Sequence, residues 1–195
     1  MTASSAFSAT DCELLLGGQR SGKSRTAEAR AADWLAAGCG DALLIATARA
    51  GDDEMAARIA RHRTDRARRV PGLRTLEEPI DLCKAIELHA RPDRLLVVDC
   101  LTLWLTQRAF PLENSDVAPA QVDSACDALV HAVAHASGPL VLVSNEIGLG
   151  LISMAPRVRH FVDALGRLHQ GVAAACTRVT LMVAGCEMPV KRRAP

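Results

Sequence analysis

Tyrosine is absent from this 195-residue chain, and aromatic residues make up only 3% of it. Stacking platforms for single-stranded nucleic acid are therefore not expected. A formal net charge of +1 gives no general attraction to nucleic acid or anionic lipid. No apolar run approaches the roughly 20 residues of a membrane span. The first ten residues, Met1 to Thr10, are small and polar apart from Phe7. They lack the basic and apolar segments of a secretion signal, and residues 1–11 read as a flexible tail. The seven cysteines (Cys12, Cys39, Cys83, Cys100, Cys126, Cys176 and Cys186) are odd in number and dispersed along the chain. That argues against a CxxC metal site and a disulfide framework, and fits a reduced, cytoplasmic protein.

What is present is a chain that is 49% hydrophobic, enough for one domain over residues 12–195. Short, nearly continuous apolar runs predict strands at Glu13–Leu16, Ala42–Ala46, Leu95–Asp99, Leu140–Ser144 and Val179–Ala184, with a weaker one at Leu73–Leu76. Helix patterns lie between them at Ser24–Ala37, Asp53–Arg66, Pro79–Ala90, Ala118–Ala136 and Arg157–Cys176, with Asp52 or Asp53 placed to cap the second. Gln107–Val117, with Pro111, Asn114, Ser115 and Asp116, reads as a loop. The alternation predicts an α/β fold: a mostly parallel central sheet with helices on both faces. Ligands then belong at the carboxyl ends of the strands: the glycine loop, Thr47-Ala48-Arg49, Asp99-Cys100, and Asn145-Glu146 with Gly148 and Gly150.

Gly17-Gly18-Gln19-Arg20-Ser21-Gly22-Lys23-Ser24 follows the first strand and opens the first helix. Spacing and context are those of a phosphate-binding loop, whose backbone N–H groups and helix N-terminus face phosphate oxygens. Lys23 would reach the β- and γ-phosphates, and the Ser24 hydroxyl would ligate Mg²⁺. Asp99, ending an apolar strand, would hold the same ion directly or through water. In Asp53–Arg66, helical spacing puts Met55, Ile59 and His62 on one face, with Arg61 and Arg63 beside the histidine. His62 is either a boundary residue of an amphipathic helix or a nucleophile for an α-phosphate, with arginines to neutralise the leaving pyrophosphate. The run Arg61, Arg63, Arg66, Arg68 and Arg69 is a solvated face or a phosphate-binding one. His131 and His135 share a helical face but have no acidic partner to complete a metal site.

The segments G-G-Q-R-S-G-K-S, I-A-T-A-R, D-D-E-M-A-A-R-I-A-R-H-R, R-T-L-E-E-P, V-V-D-C-L-T and V-S-N-E-I-G-L-G together resemble one family. It is the bifunctional adenosylcobinamide kinase / adenosylcobinamide-phosphate guanylyltransferases of cobalamin biosynthesis, and the likeness runs from about Leu14 to Lys191. The resemblance implies a RecA-like P-loop NTPase fold, a homotrimer with active sites near subunit contacts, and two activities. ATP or GTP phosphorylates the aminopropanol hydroxyl of adenosylcobinamide. GMP then passes from GTP through an enzyme histidine to the cobinamide phosphate. By resemblance His62 is the guanylylated histidine, while Gly17 to Ser24, Thr47, Ala48, Arg49, Arg63, Glu77 and Asp99 contact nucleotide. Ser153-Met154-Ala155 stand where the family has Pro-x-Asn, His169-Gln170 replace an Asn-Gln pair, and Thr177 replaces an aspartate. Two alternatives follow from the residues: a P-loop small-molecule kinase without guanylyl transfer, in which His62 is structural, or a regulatory NTPase.

Overall fold

The computed structural model describes residues 7–51, 53–111, 117–150 and 153–192. Seven strands form one sheet in the order β3-β2-β4-β5-β1-β6-β7. They are β1 (Cys12–Gly17), β2 (Asp41–Ala46), β3 (Leu73–Glu77), β4 (Arg94–Asp99), β5 (Leu140–Val143), β6 (Arg178–Val183) and β7 (Cys186–Lys191). All neighbours are parallel except β6 and β7. The helices are α1 (Lys23–Ala36), α2 (Asp53–Arg69), α3 (Leu82–His89), α4 (Leu101–Ala109), α5 (Pro119–Ala134) and α6 (Pro156–Ala175).

Period-two alternation along the strands builds two cores. Leu14, Leu43, Ile45, Leu96, Val98, Leu140 and Leu142 face α3, α4, α5 and α6, where Leu82, Trp104, Leu129 and Leu165 fill the layer. Leu15, Leu44, Leu95, Val97, Val141 and Val143 face α1 through Ala27, Ala31 and Trp34. Burial on both faces explains why these strands read as unbroken apolar runs.

The structure corrects the sequence reading in four places. The third helix starts at Leu82, because the Glu78 carboxylate accepts the Ile80 and Asp81 amides at 3.0 and 2.8 Å and holds Pro79 in a turn. A helix not expected, α4, follows β4 almost directly and reaches Ala109, into the segment read as loop; Asn114, Ser115 and Asp116 lie outside the described residues, as does Asp52. The chain also turns back at Ala184-Gly185, both at positive φ, to add antiparallel edge strand β7. Lastly, order reaches back before β1: Phe7 is buried under the Arg178 guanidinium, and buried Asp11 pairs with Arg178 at 2.8 Å.

Candidate active site

The phosphate loop joins β1 to α1, and its shape is fixed by the neighbouring hairpin. A Cβ at Gly17 would strike the Met182 carbonyl of β6, and Gly185 donates its N–H to Ser21 O at 3.0 Å. Gly22 caps α1 at φ 106°, a conformation that side chains rarely adopt. Arg20 also has positive φ.

Lys23 is buried and folds onto its own loop. Its Nζ donates to Gly17 O at 2.8 Å and Gly18 O at 2.6 Å, with Ser21 Oγ at 3.4 Å. Burial holds its pKa below the usual lysine value, against the opposing pull of Cys100 and Asp99. Asp99 is thus electrostatically within reach of the loop lysine, half-buried at the end of β4. Ser24 is likewise half-exposed, in the first turn of α1. Hydroxyl and carboxylate are the hard oxygen donors that suit Mg²⁺. Among the described residues no group of three or more His, Cys, Asp or Glu is placed to hold a metal ion. Burial and Asp99 together push the Cys100 thiol up to about 12, so it is no nucleophile at neutral pH.

Thr47 does not present its side chain to a ligand. Fully buried, its Oγ1 donates to Cys100 O at 2.7 Å and accepts from Cys100 N at 2.8 Å, while its carbonyl accepts from Gln107 Nε2 at 2.6 Å. The Thr47 hydroxyl thus ties β2 to the turn carrying Asp99. The next residues, Ala48 and Arg49, do line a groove of about 310 Å³ with Ile59, Arg63, Glu77 and Pro79. Arg63 and Glu77 pair across it at 2.9 Å, both well exposed. The groove lies at the β2/β3 end of the sheet. Three strand spacings separate β2 from β1, about 14 Å.

His62 is exposed on α2, beside the groove but not in its lining. The side chain of Met55, expected on the same stripe, lies outside the described residues. The inner face of α2 is held by Glu28 of α1, which is 3% exposed and lies 3.6 Å from Arg66 Nε and 3.3 Å from Arg69 Nε. Burial raises the Glu28 pKa against Arg69 and Arg66; Asp99 adds to the rise and His62 opposes it. One buried carboxylate on the helix after the phosphate loop therefore anchors α2 through Arg66 and Arg69. The basic run is accordingly only partly a solvated face: Arg66 is an internal tether.

A second polar cluster is brought together only by the fold. At the end of β5, buried Ser144 has Oγ 2.9 Å from Thr102 Oγ1 and 2.7 Å from His169 Nε2. His169 Nδ1 lies 3.6 Å from Glu146 Oε2. Asn145-Glu146 stands out as a strand end, but nothing local links it to His169 on α6.

The chain matches the family model described as cobinamide kinase / cobinamide phosphate guanyltransferase over residues 13–190. It is 47% identical over 180 residues to the bifunctional adenosylcobalamin biosynthesis protein CobP of Pseudomonas aeruginosa, covering 92% of this chain and 96% of that one. To the bifunctional adenosylcobalamin biosynthesis protein CobU of Escherichia coli it is 36% identical over 186 residues, covering 91% and 98%. Among solved structures, the flagellar accessory protein FlaH of Methanocaldococcus jannaschii aligns with a TM-score of 0.51 at 10% identity, over 96% of this chain and 80% of that one. At that identity the likeness concerns fold alone.

Proposed function

We propose, from the premise that the chain belongs to the cobinamide kinase / cobinamide phosphate guanyltransferase family, that its two reactions divide between the phosphate loop and the His62 face of α2. The chain is a bifunctional transferase of cobalamin biosynthesis acting on nucleotide and cobinamide substrates. The observation that supports the division is the separation of the phosphate loop, after β1, from the groove of Ala48, Arg49, Arg63 and Glu77, three strands away at the β2/β3 end of the sheet.

In the kinase step, the loop amides and Lys23 bind the triphosphate of ATP or GTP, Lys23 exchanging its loop carbonyls for phosphate oxygens. Ser24 and Asp99 would hold Mg²⁺, which supplies charge neutralisation at the β- and γ-phosphates. The acceptor is the hydroxyl of adenosylcobinamide. In the second step an unprotonated His62 nitrogen attacks the α-phosphorus of GTP. A P–N bond forms, the bond to pyrophosphate breaks, and the ring loses its other N–H proton to solvent. The phosphate of adenosylcobinamide phosphate then attacks the same phosphorus, the P–N bond breaks and the ring takes a proton back from solvent, giving adenosylcobinamide-GDP and free His62. The groove of Arg49, Ala48, Glu77 and Arg63 takes the nucleoside, and Arg63 stands next to His62 to meet the phosphates.

We read the working form as a homo-oligomer, a trimer by family resemblance; exposed Leu149, Met154, Met188 and Val190 supply apolar surface for such contacts. We take the chain as one domain, with Phe7 and Asp11 packed against it. No helix among the described residues is long and apolar enough to cross a membrane. Free cysteines at all seven positions support a cytoplasmic setting.

The test supplies adenosylcobinamide with GTP labelled at the γ- or the α-phosphate. Gamma label should enter cobinamide phosphate, and alpha label should enter the protein and then adenosylcobinamide-GDP. Gamma label alone in the corrinoid would leave a kinase only. Free phosphate with no labelled corrinoid would make the chain a regulatory NTPase.

A further inference from the structure

The cluster at the end of β5 adjoins the phosphate loop. Glu146 N donates to Gly17 O at 3.0 Å, and Lys23 Nζ donates to that same oxygen at 2.8 Å. The Glu146 backbone is thus anchored one carbonyl away from the loop lysine. The Glu146 carboxylate is held on two sides. Oε1 accepts the Gly148 amide at 2.7 Å, and Oε2 faces His169 Nδ1 at 3.6 Å. A Cβ on Gly148 would come within 3.0 Å of Oε1, so glycine there keeps room for the carboxylate.

His169 is fixed in turn. Its Nε2 lies 2.7 Å from Ser144 Oγ, whose other partner, Thr102 Oγ1, also accepts the Asn145 amide at 2.8 Å. When the imidazole is neutral and Ser144 donates to Nε2, Nδ1 carries the proton and faces Glu146. Burial favours that neutral form, against the pull of Glu146. A relay from α4 through β5 and α6 therefore orients one carboxylate that remains partly open to solvent beside the loop. The residues following it, Ile147 and Leu149, expose apolar side chains, a surface suited to a large, weakly polar acceptor.

We propose that Glu146 is the general base of the phosphoryl transfer and that His169 is its positioning residue. This rests on the kinase reading above. The acceptor hydroxyl gives its proton to a Glu146 carboxylate oxygen while its own oxygen bonds the γ-phosphorus. The bond from that phosphorus to the β–γ bridging oxygen breaks, releasing the nucleoside diphosphate. Glu146 passes the proton to solvent once the products leave. Guanylyl transfer needs no such base at this position, because its first nucleophile is His62.

The test uses the full chain as wild type, Glu146→Gln, His169→Ala and the double variant, with adenosylcobinamide, nucleotide and Mg²⁺. Glu146→Gln should lower the kinase kcat by about 100-fold or more. The KM for nucleotide and guanylylation from GTP should both stay within about threefold of wild type. His169→Ala should lower kcat by a smaller factor, and the double variant should be no slower than Glu146→Gln, since His169 acts only through Glu146. A Glu146→Gln variant within about fivefold of wild-type kcat would overturn the assignment, as would parallel loss of kinase and guanylylation. Wild type that phosphorylates no corrinoid would bring down the kinase reading itself and Glu146 with it. Wild-type turnover that survives Glu146→Gln would remove the base alone.

Discussion

Replacing Lys23 by methionine separates what this residue does for the fold from what it does for the reaction. The substitution deletes the charge-assisted hydrogen bonds to Gly17 O and Gly18 O and the longer one to Ser21 Oγ. Neither carbonyl is orphaned, because Glu146 N still donates to the first at 3.0 Å and Ser21 N to the second at 3.2 Å. The loss is therefore that of the bonds, about 1.5–3 kcal/mol each before compensation, and not of stranded acceptors. Part of it is recovered, since burial makes the folded protein hold the ammonium less readily than the unfolded chain does. A methionine of similar length fills the space, leaving a net cost of about 1–2 kcal/mol, or roughly 2–8 °C in Tm for a chain of this size. Catalysis should suffer more, because charge placed at the developing phosphoryl transition state is worth several kcal/mol, about 10²–10³ in kcat. The assay pairs thermal unfolding without nucleotide with kinase turnover under saturating substrates. A folded Lys23→Met protein with kinase turnover near wild type would refute the role given to Lys23. Collapse of the fold would refute the claim that the loop holds itself.

Three further outcomes are expected. Thr47→Val strips the buried Cys100 N–H of its acceptor while Cys100 O keeps the Trp104 amide at 3.2 Å, so unfolding experiments should show a loss of about 1–3 kcal/mol. Asp99→Asn should raise the Mg²⁺ concentration needed for half-maximal kinase rate at little cost in Tm; an unchanged Mg²⁺ titration would make Asp99 purely structural. Asp41 has its carboxyl held below the usual value of 3.8, chiefly by the hydrogen-bonded Arg94 guanidinium, so its stabilisation is present above that value and lost as pH falls through the lowered one. The stability gap between wild type and Asp41→Asn should accordingly be constant near neutrality and close only in strong acid, as followed by urea unfolding against pH.

How far the sequence could be read depended on whether a signal was local. Strands β1, β2, β4, β5 and β6 were legible because two-sided burial demands unbroken apolar runs. The phosphate loop was legible because its chemistry is contained in eight consecutive residues. Strand β7 was not: all six of its residues are exposed, Pro189 sits among them, and its turn uses Ala184 at φ 51° where Asn or Gly is the usual cue. Helix α4 was missed because it follows β4 with only Cys100 between, and Cys100 makes no side-chain cap. Site residues that depend on distant partners were the least legible. Glu28 resembles any helical acid until Arg66 and Arg69 are folded over it, and the partner of the Thr47 hydroxyl, Cys100, lies on another strand's end. His169 was visible only as a departure from the family's pattern, and acquires a partner when α6 meets the end of β5.

The claim that this fold carries guanylyl transfer on His62 beside a separate phosphate-loop reaction is tested most directly by intact-protein mass spectrometry. Wild type and His62→Ala are incubated with GTP and Mg²⁺, then with adenosylcobinamide phosphate. Wild type should gain one guanylyl group, bound through an acid-labile, alkali-stable P–N bond, and lose it when the corrinoid phosphate is added. The His62→Ala protein should gain nothing, while still phosphorylating adenosylcobinamide. A guanylyl group on His62→Ala, or wild type that forms adenosylcobinamide-GDP without ever carrying one, would contradict the account.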